Sequence, residues 1–230
     1  RFPDLFSLDY TPPKPLVQRR HRFEVIERIM PDGSVRQPLD DASVESVLEK
    51  LEQLQPEAIA ICLLHSYANP IHERKVVEAV KNRFPNLYVS GSIDVLPEIR
   101  EYERTSTTVI NSYIGPIVDN YLESMQKRLD HANMAVPISI MQSNGGVMSY
   151  AAARRSPARI IESGPAAGVV EALRLADRIG LEDVITFDMG GTTAKASLIE
   201  QGKPSLTTEY EVGAGIQLSG SVCPVQSTMP

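Results

Sequence analysis

Cysteine is scarce: the 230 residues contain two, Cys62 and Cys223, far apart in the chain. That excludes a disulfide framework, and no CxxC pair or metal-ligand spacing occurs. No run approaches the ~20 apolar residues of a membrane span, so no membrane segment is expected. A basic excess is also missing. Lys+Arg number 23 against 29 Asp+Glu, a formal charge of -6, which argues against a nucleic-acid binder relying on a broadly basic surface. No Asn-x-Ser/Thr acceptor occurs, and a reducing cytoplasm is the expected compartment. The scans for GxxxxGK[ST], GxGxxG, HExxH and GxSxG all fail. A P-loop, a dinucleotide fingerprint, a zincin and a serine-hydrolase elbow are therefore unsupported. There is no internal repeat and no low-complexity segment.

What is present is an ordinary globular composition, 42% hydrophobic and 23% charged, enough to bury a core without cross-links. Residues 1–20, with Pro3, Pro12, Pro13 and Pro15, read as an extended arm. His21 to Met30 and a strand from Val35 flank Pro31-Asp32-Gly33, a turn in which Pro presets φ and Gly takes positive φ. Asp40 or Asp41 caps a helix reaching about Gln55. Glu57 to His65 reads as one continuous buried strand. Asn69 and Pro70 open a second helix ending near Phe84-Pro85, and Leu87 to Ser90 is a strand. The first ~95 residues thus form a βαβ layer with a hairpin.

A long helix is expected over Thr105–His131, with Val109, Ile110, Tyr113, Ile117, Tyr121, Leu122, Met125 and Leu129 at helical spacing and a bend at Gly115-Pro116. Before it, the mixed run Glu98 to Thr108 reads as a solvated face with capping hydroxyls. A strand at 138–141, a small-residue helix near Ala151, a helix from Ser163 to about Gly180, and strands at 183–187, 194–200 and 205–210 follow.

The strongest chemical signal is Asp188-Met189-Gly190-Gly191-Thr192-Thr193 between two apolar strands. Glycines let the backbone approach a ligand and aim N–H groups at an anion. Hydroxyls add donors, and Asp188 can hold a divalent cation that offsets phosphate charge. A plain hairpin with glycines at its turn accounts for the same residues equally well. Ser163-Gly164-Pro165-Ala166-Ala167-Gly168 fits close helix packing, and Gln142-Ser143-Asn144-Gly145-Gly146 fits either polar side chains in a cleft or an Asn-Gly turn. The histidines, His21, His65, His72 and His131, show no trusted ligand spacing.

Together, REYERTSTTVINSYIGP, IMQSNGGVMS, ESGPAAGVVEA and ITFDMGGTTAKASLIEQG resemble, in that order, the ATP-dependent hydantoinase A/5-oxoprolinase family, to which acetone carboxylase subunits are related. AIAICLLHSYANPIHERKV looks like the end of that family's N-terminal region. The resemblance implies an α/β fold of ribonuclease H-like, actin-like ATPase lobes, with mixed sheets flanked by helices. It implies an internal stretch of a longer chain, cut at both ends, with residues 1–104 closing the N-terminal region and 105–230 opening the hydantoinase A domain. It implies ATP and Mg²⁺ as cofactors. Asp188 becomes the catalytic acid on the metal side, and Gly190, Gly191, Thr192 and Thr193 contact phosphate. Lys195 stands where the commoner family pattern is acidic; it neutralises phosphate or points away. Ser143, Asn144 and Arg104 are candidates for the substrate side. The implied activity is hydrolysis of a small cyclic amide after phosphorylation, with an ATP-dependent carboxylase subunit or a non-catalytic nucleotide module as alternatives. The implied partners are the cyclic amide and a B-type subunit, with a homo-oligomer left open.

Overall fold

The computed structural model describes residues 14–191, 194–212 and 216–223, with side chains described up to residue 206 except at 192 and 193. The chain packs as two compact units, one of residues up to Tyr113 with Glu211–Leu218 and the other of Ile114–Tyr210 with residues from Ser219.

The first unit opens with the expected hairpin. β1 (Arg28–Ile29) pairs antiparallel with β2 (Val35–Gln37). The turn closes because Gly33 takes φ 83° and Asp32 Oδ1 accepts from Ser34 N at 2.9 Å. α1 (Asp41–Leu54) starts on Asp40, whose side chain accepts from Ser43 N at 3.0 Å, and ends where Gln55 turns left-handed. β3 (Ala58–Ile61) runs parallel to β4 (Tyr88–Gly91), with α2 (Ile71–Arg83) between them in sequence. Val44, Leu48 and Leu51 of α1, Ile61 of β3, and Val76, Val77 and Val80 of α2 make the core. The continuous strand expected over 57–65 stops at Ile61. From there the chain turns through His65, at φ 57°, whose carbonyl accepts from Ala68 N and Asn69 N. Asn69 Oδ1 accepts from Ile71 N at 3.2 Å as α2 begins.

After a single helical turn, α3 (Ser92–Val95), comes α4 (Glu101–His131), which holds Pro116 in its interior. The helix is the one expected, but its start is four residues earlier and its inward face is different. Ile110 and Leu122 are buried, whereas Tyr113, Ile117 and Tyr121 are exposed. The expected solvated run is exposed at Glu98, Ile99, Arg100, Tyr102 and Thr105, but its end turns inward: Arg104, Thr107 and Thr108 are buried, as is Asn111 beyond it. Their spacing of three and four residues is that of one helix face. Polar groups occupy it because they have partners: Asn111 Nδ2 donates to Ser90 Oγ at 3.0 Å, Thr108 Oγ1 to Arg104 O at 2.7 Å, and Ser112 Oγ to Ile59 O at 3.0 Å.

The second unit contains β5 (Ser139–Met141) paired with β6 (Val147–Ser149), then α5 (Tyr150–Arg155) and α6 (Ser163–Ile179), which ends on Gly180 at φ 74°. β7 (Val184–Met189), β8 (Ala194–Glu200) and β9 (Lys203–Pro204) form an antiparallel sheet in that order. Ala166 and Val169 of α6 pack on Ile199 of β8. Arg154 of α5 and Asp119 of α4 form a two-point ion pair, which raises the Arg154 pKa beyond its ordinary value. β10 (Thr207–Val212) and β11 (Ile216–Cys223) form a separate two-stranded sheet. The architecture is thus mixed α/β with helices on small sheets, as the sequence leads one to expect. No helix among the described residues is long and apolar enough to cross a membrane.

Candidate functional site

The β7–β8 hairpin carries the strongest sequence signal, and its register is regular. Asp188 lies opposite Lys195, and Met189 opposite Ala194. Asp188, Gly190 and Gly191 are exposed. A Cβ placed on Gly190 or Gly191 would meet nothing within 4 Å, so the backbone there is open to a ligand. The same is true at Gly164 and Gly168 in the first turns of α6. Pro165, Gly168, Val169, Thr186, Asp188 and Lys195 are among the residues lining a groove of about 250 Å³ between α6 and β7. Thr192 and Thr193 lie outside the described residues.

Three motifs far apart in sequence meet in this unit. Lys195 Nζ is bonded to the Glu162 carboxylate, and both side chains are largely buried. Glu162 N donates to Ser143 Oγ at 3.2 Å. Ser143 Oγ in turn donates to Arg159 O at 2.9 Å. Residues 142–146, the start of α6 and the strand after Asp188 are therefore one hydrogen-bonded assembly. Asn144 uses its side chain locally: Oδ1 accepts from Gly146 N at 2.9 Å. The Lys195–Glu162 pair was not legible beforehand. The partners are 33 residues apart, and only the alternation along β8 hinted that Lys195 faces inward.

Arg104 belongs to the first unit and is 1% exposed. Its Nη1 donates to Ser66 Oγ, its Nη2 donates to Leu63 O at 2.9 Å, and its guanidinium lies 5.6 Å from the Tyr67 ring centroid. Ser66 Oγ is 3.2 Å from Ser92 Oγ, which donates to the fully buried carboxylate of Glu73 at 2.8 Å. Leu63 N and Ile93 N also donate to Glu73, both at 2.8 Å. The ends of β3 and β4 and the start of α4 are thus tied by an arginine and a glutamate bridged through two serines. Beside them, burial, reinforced by Glu73, pushes the Cys62 thiol up to about 11. Sequence reading missed Glu73 because it sits in a charged helical run; the polar spacing 104, 107, 108, 111 was the available signal for its partner.

Among the described residues no group of three or more His, Cys, Asp or Glu is placed to hold a metal. Asp188 offers an exposed carboxylate at the hairpin, a donor that suits Mg²⁺ when nucleotide phosphates supply further ligands.

Comparison with known proteins gives two family models, hydantoinase/oxoprolinase over residues 104–226 and the hydantoinase/oxoprolinase N-terminal region over residues 1–84. An uncharacterised protein of Methanocaldococcus jannaschii is 44% identical over 230 residues, covering 98% of this chain and 34% of that protein. Caprolactamase subunit alpha of Pseudomonas jessenii is 34% identical, covering 90% of this chain and 30% of its own. The crystal structure of that organism's ATP-dependent caprolactamase superposes with a TM-score of 0.84 at 32% identity, over 96% of this chain and 32% of that one. Nucleotide-free acetone carboxylase, from work on its ATP-dependent mechanism, gives 0.85 at 29%, over 94% and 31%. The chain spans about a third of the length of these relatives. At these similarities the fold is theirs, of the actin-like ATPase class that the motifs implied. With one family model matching more than half of its residues and a second matching its opening stretch, the chain belongs to the hydantoinase/oxoprolinase family.

Proposed function

We propose that this chain is the phosphate-binding part of an ATP-dependent hydrolase of cyclic amides. The observation that carries the reading is the β7–β8 hairpin, where an exposed acid is followed by two glycines with open space beside them, at the edge of a groove. Relatives whose names or titles specify caprolactamase and ATP dependence support it. In the proposed reaction the ring amide oxygen takes the terminal phosphoryl group of ATP, leaving ADP. Water then attacks the activated carbon, the C–N bond breaks as the ring nitrogen takes a proton, and a second water hydrolyses the resulting acyl phosphate to a carboxylate and inorganic phosphate. Protein groups contribute mainly by positioning and by neutralising charge.

Asp188 holds Mg²⁺, which when bound supplies positive charge against the phosphates. Gly190 and Gly191 approach the phosphates with their backbone, and Thr192 and Thr193 offer hydroxyls. Lys195 acts through Glu162, as a positioning residue of the hairpin. Asn144, exposed in the second unit, faces the substrate side, and Ser143 acts as a positioning residue for its loop; Arg104 is a positioning residue within the first unit. Residues 1–104 and 105–230 are assigned to the family's N-terminal region and hydantoinase A domain, a division supported by the family-model limits. A B-type subunit completes the enzyme; the relative named as a subunit supports this.

A second reading, an ATP-dependent carboxylase subunit, is favoured by the TM-score of 0.85 to acetone carboxylase. ADP release by the full-length protein, measured with caprolactam, 5-oxoproline, hydantoin or bicarbonate plus a ketone, separates the two. Stimulation by a cyclic amide, abolished about 100-fold or more by Asp188→Ala, is expected. Stimulation only by bicarbonate and ketone selects the second reading, and release indifferent to every addition overturns both.

A further inference from the structure

We propose that the first unit carries a binding site for the oxyanion group of a small molecule, phosphate or carboxylate, between the β1–β2 hairpin and the loop after β3. A cavity of about 500 Å³ lies there, lined by Arg28, Arg36, Gln37 and His65 over Met30 and Pro31. The hairpin's irregular register builds it. Arg28 pairs with Gln37 and Ile29 with Val35, so Arg36 is an extra residue in the ladder. In a regular strand Arg36 and Gln37 point to opposite faces. A bulge re-aims the side chain, and here both residues reach the same cavity as Arg28. Arg28 and Arg36 thereby line one cavity of the two-stranded ribbon.

Among the described residues Arg28 and Arg36 have no ion pair or side-chain hydrogen bond. Glu27 is spent on His72 Nδ1 at 2.8 Å, both side chains only 6% exposed. Asp32 is taken by Ser34 N and Oγ within its own turn. Glu101 lies 3.8 Å from His65 Nδ1. Guanidinium forks match phosphate and carboxylate oxygens two at a time.

The frame is fixed independently of any ligand. Asn69 Nδ2 donates to Gly33 O at 2.8 Å, and the Glu27–His72 pair clamps the hairpin to α2. His65 stands just beyond the carboxyl end of a parallel strand, where open α/β sheets place their ligands.

Isothermal titration of the full-length protein with inorganic phosphate, and separately with acetate, tests this. Arg28→Gln and Arg36→Gln change exposed side chains and leave the fold intact. Each is expected to weaken binding about tenfold or more, with Arg36→Lys weakening it less. Asp188→Ala separates any phosphate held at the β7–β8 hairpin from the arginine-dependent binding, which is expected to persist in it. Preference for phosphate identifies a phosphoryl ligand and preference for acetate a carboxylate. Equal binding by the arginine variants, loss only in Asp188→Ala, or no binding of either probe at tens of millimolar overturns the proposal.

Discussion

Replacing Glu73 with Ala is expected to be the most damaging single change in the first unit. The carboxylate is fully buried and accepts from Leu63 N, Ile93 N and Ser92 Oγ. Hydrogen bonds to a charged group contribute roughly 1.5–3 kcal/mol each, so three give a gross loss of about 5–9 kcal/mol. Water entering the vacated space and relaxation of the loops recover part of it. Removal of one member of a buried charged pair costs about 3–5 kcal/mol, and that is the expected net. Arg104→Met removes the other end of the bridge. Because Ser66 and Ser92 link the two ends, the double variant should be less destabilised than the summed singles, by about 1–3 kcal/mol. Hydrogen exchange of the full-length protein, followed by mass spectrometry over residues 58–113, reads this unit without requiring global two-state unfolding. A loss below about 1 kcal/mol for Glu73→Ala, or additive singles, would refute the account of these side chains as one network.

The Cys62 thiol gives a pH test. Its folded value, pushed up to about 11 from an ordinary 9.0 mainly by burial, means the folded state holds the proton that the unfolded state releases. Stability from this group is therefore complete below pH 9 and declines as pH rises towards 11, by up to about 1.4 kcal/mol per pH unit. Denaturation at stepped pH, with Cys62→Ala as reference, should show the reference losing less over that window; parallel curves would contradict it. Gly33→Ala is expected to cost about 1 kcal/mol or more, because φ is 83° and the new Cβ would lie 3.3 Å from Ala68 O. Its urea midpoint should fall accordingly, and an unchanged midpoint would mean that the hairpin turn shifts freely.

Elements closed by their neighbours in sequence were readable from the sequence. The cap at Asp40 or Asp41, which the fold assigns to Asp40, and the Pro31-Asp32-Gly33 turn are local devices whose partners lie within a few residues. Where the partner is distant, the reading failed or stopped short. Glu57 to His65 looked like one strand because every residue from Ala58 to Leu64 is apolar, yet pairing with β4 lasts only to Ile61. The run 98–108 looked wet because it is charged, and much of it is exposed, yet Ser66 and Leu63 supply partners that let Arg104 be buried. On α4 the apolar residues exceed what one face can hide, so spacing alone could not say that Ile110 and Leu122 go inside while Ile117 stays out. At the candidate site the Asp188 turn was visible as sequence, whereas its tie through Lys195 and Glu162 to Ser143 required the fold.

That tie has an electrostatic consequence. With Glu162 already cancelling Lys195, the proposed attraction of the hairpin for a phosphate falls to amide dipoles and a metal carried in with the nucleotide. Dipoles act over a few ångströms and are little screened by salt. Capture at this turn should thus proceed at much the same rate in dilute and in concentrated buffer, without the long-range steering that an unbalanced lysine would give.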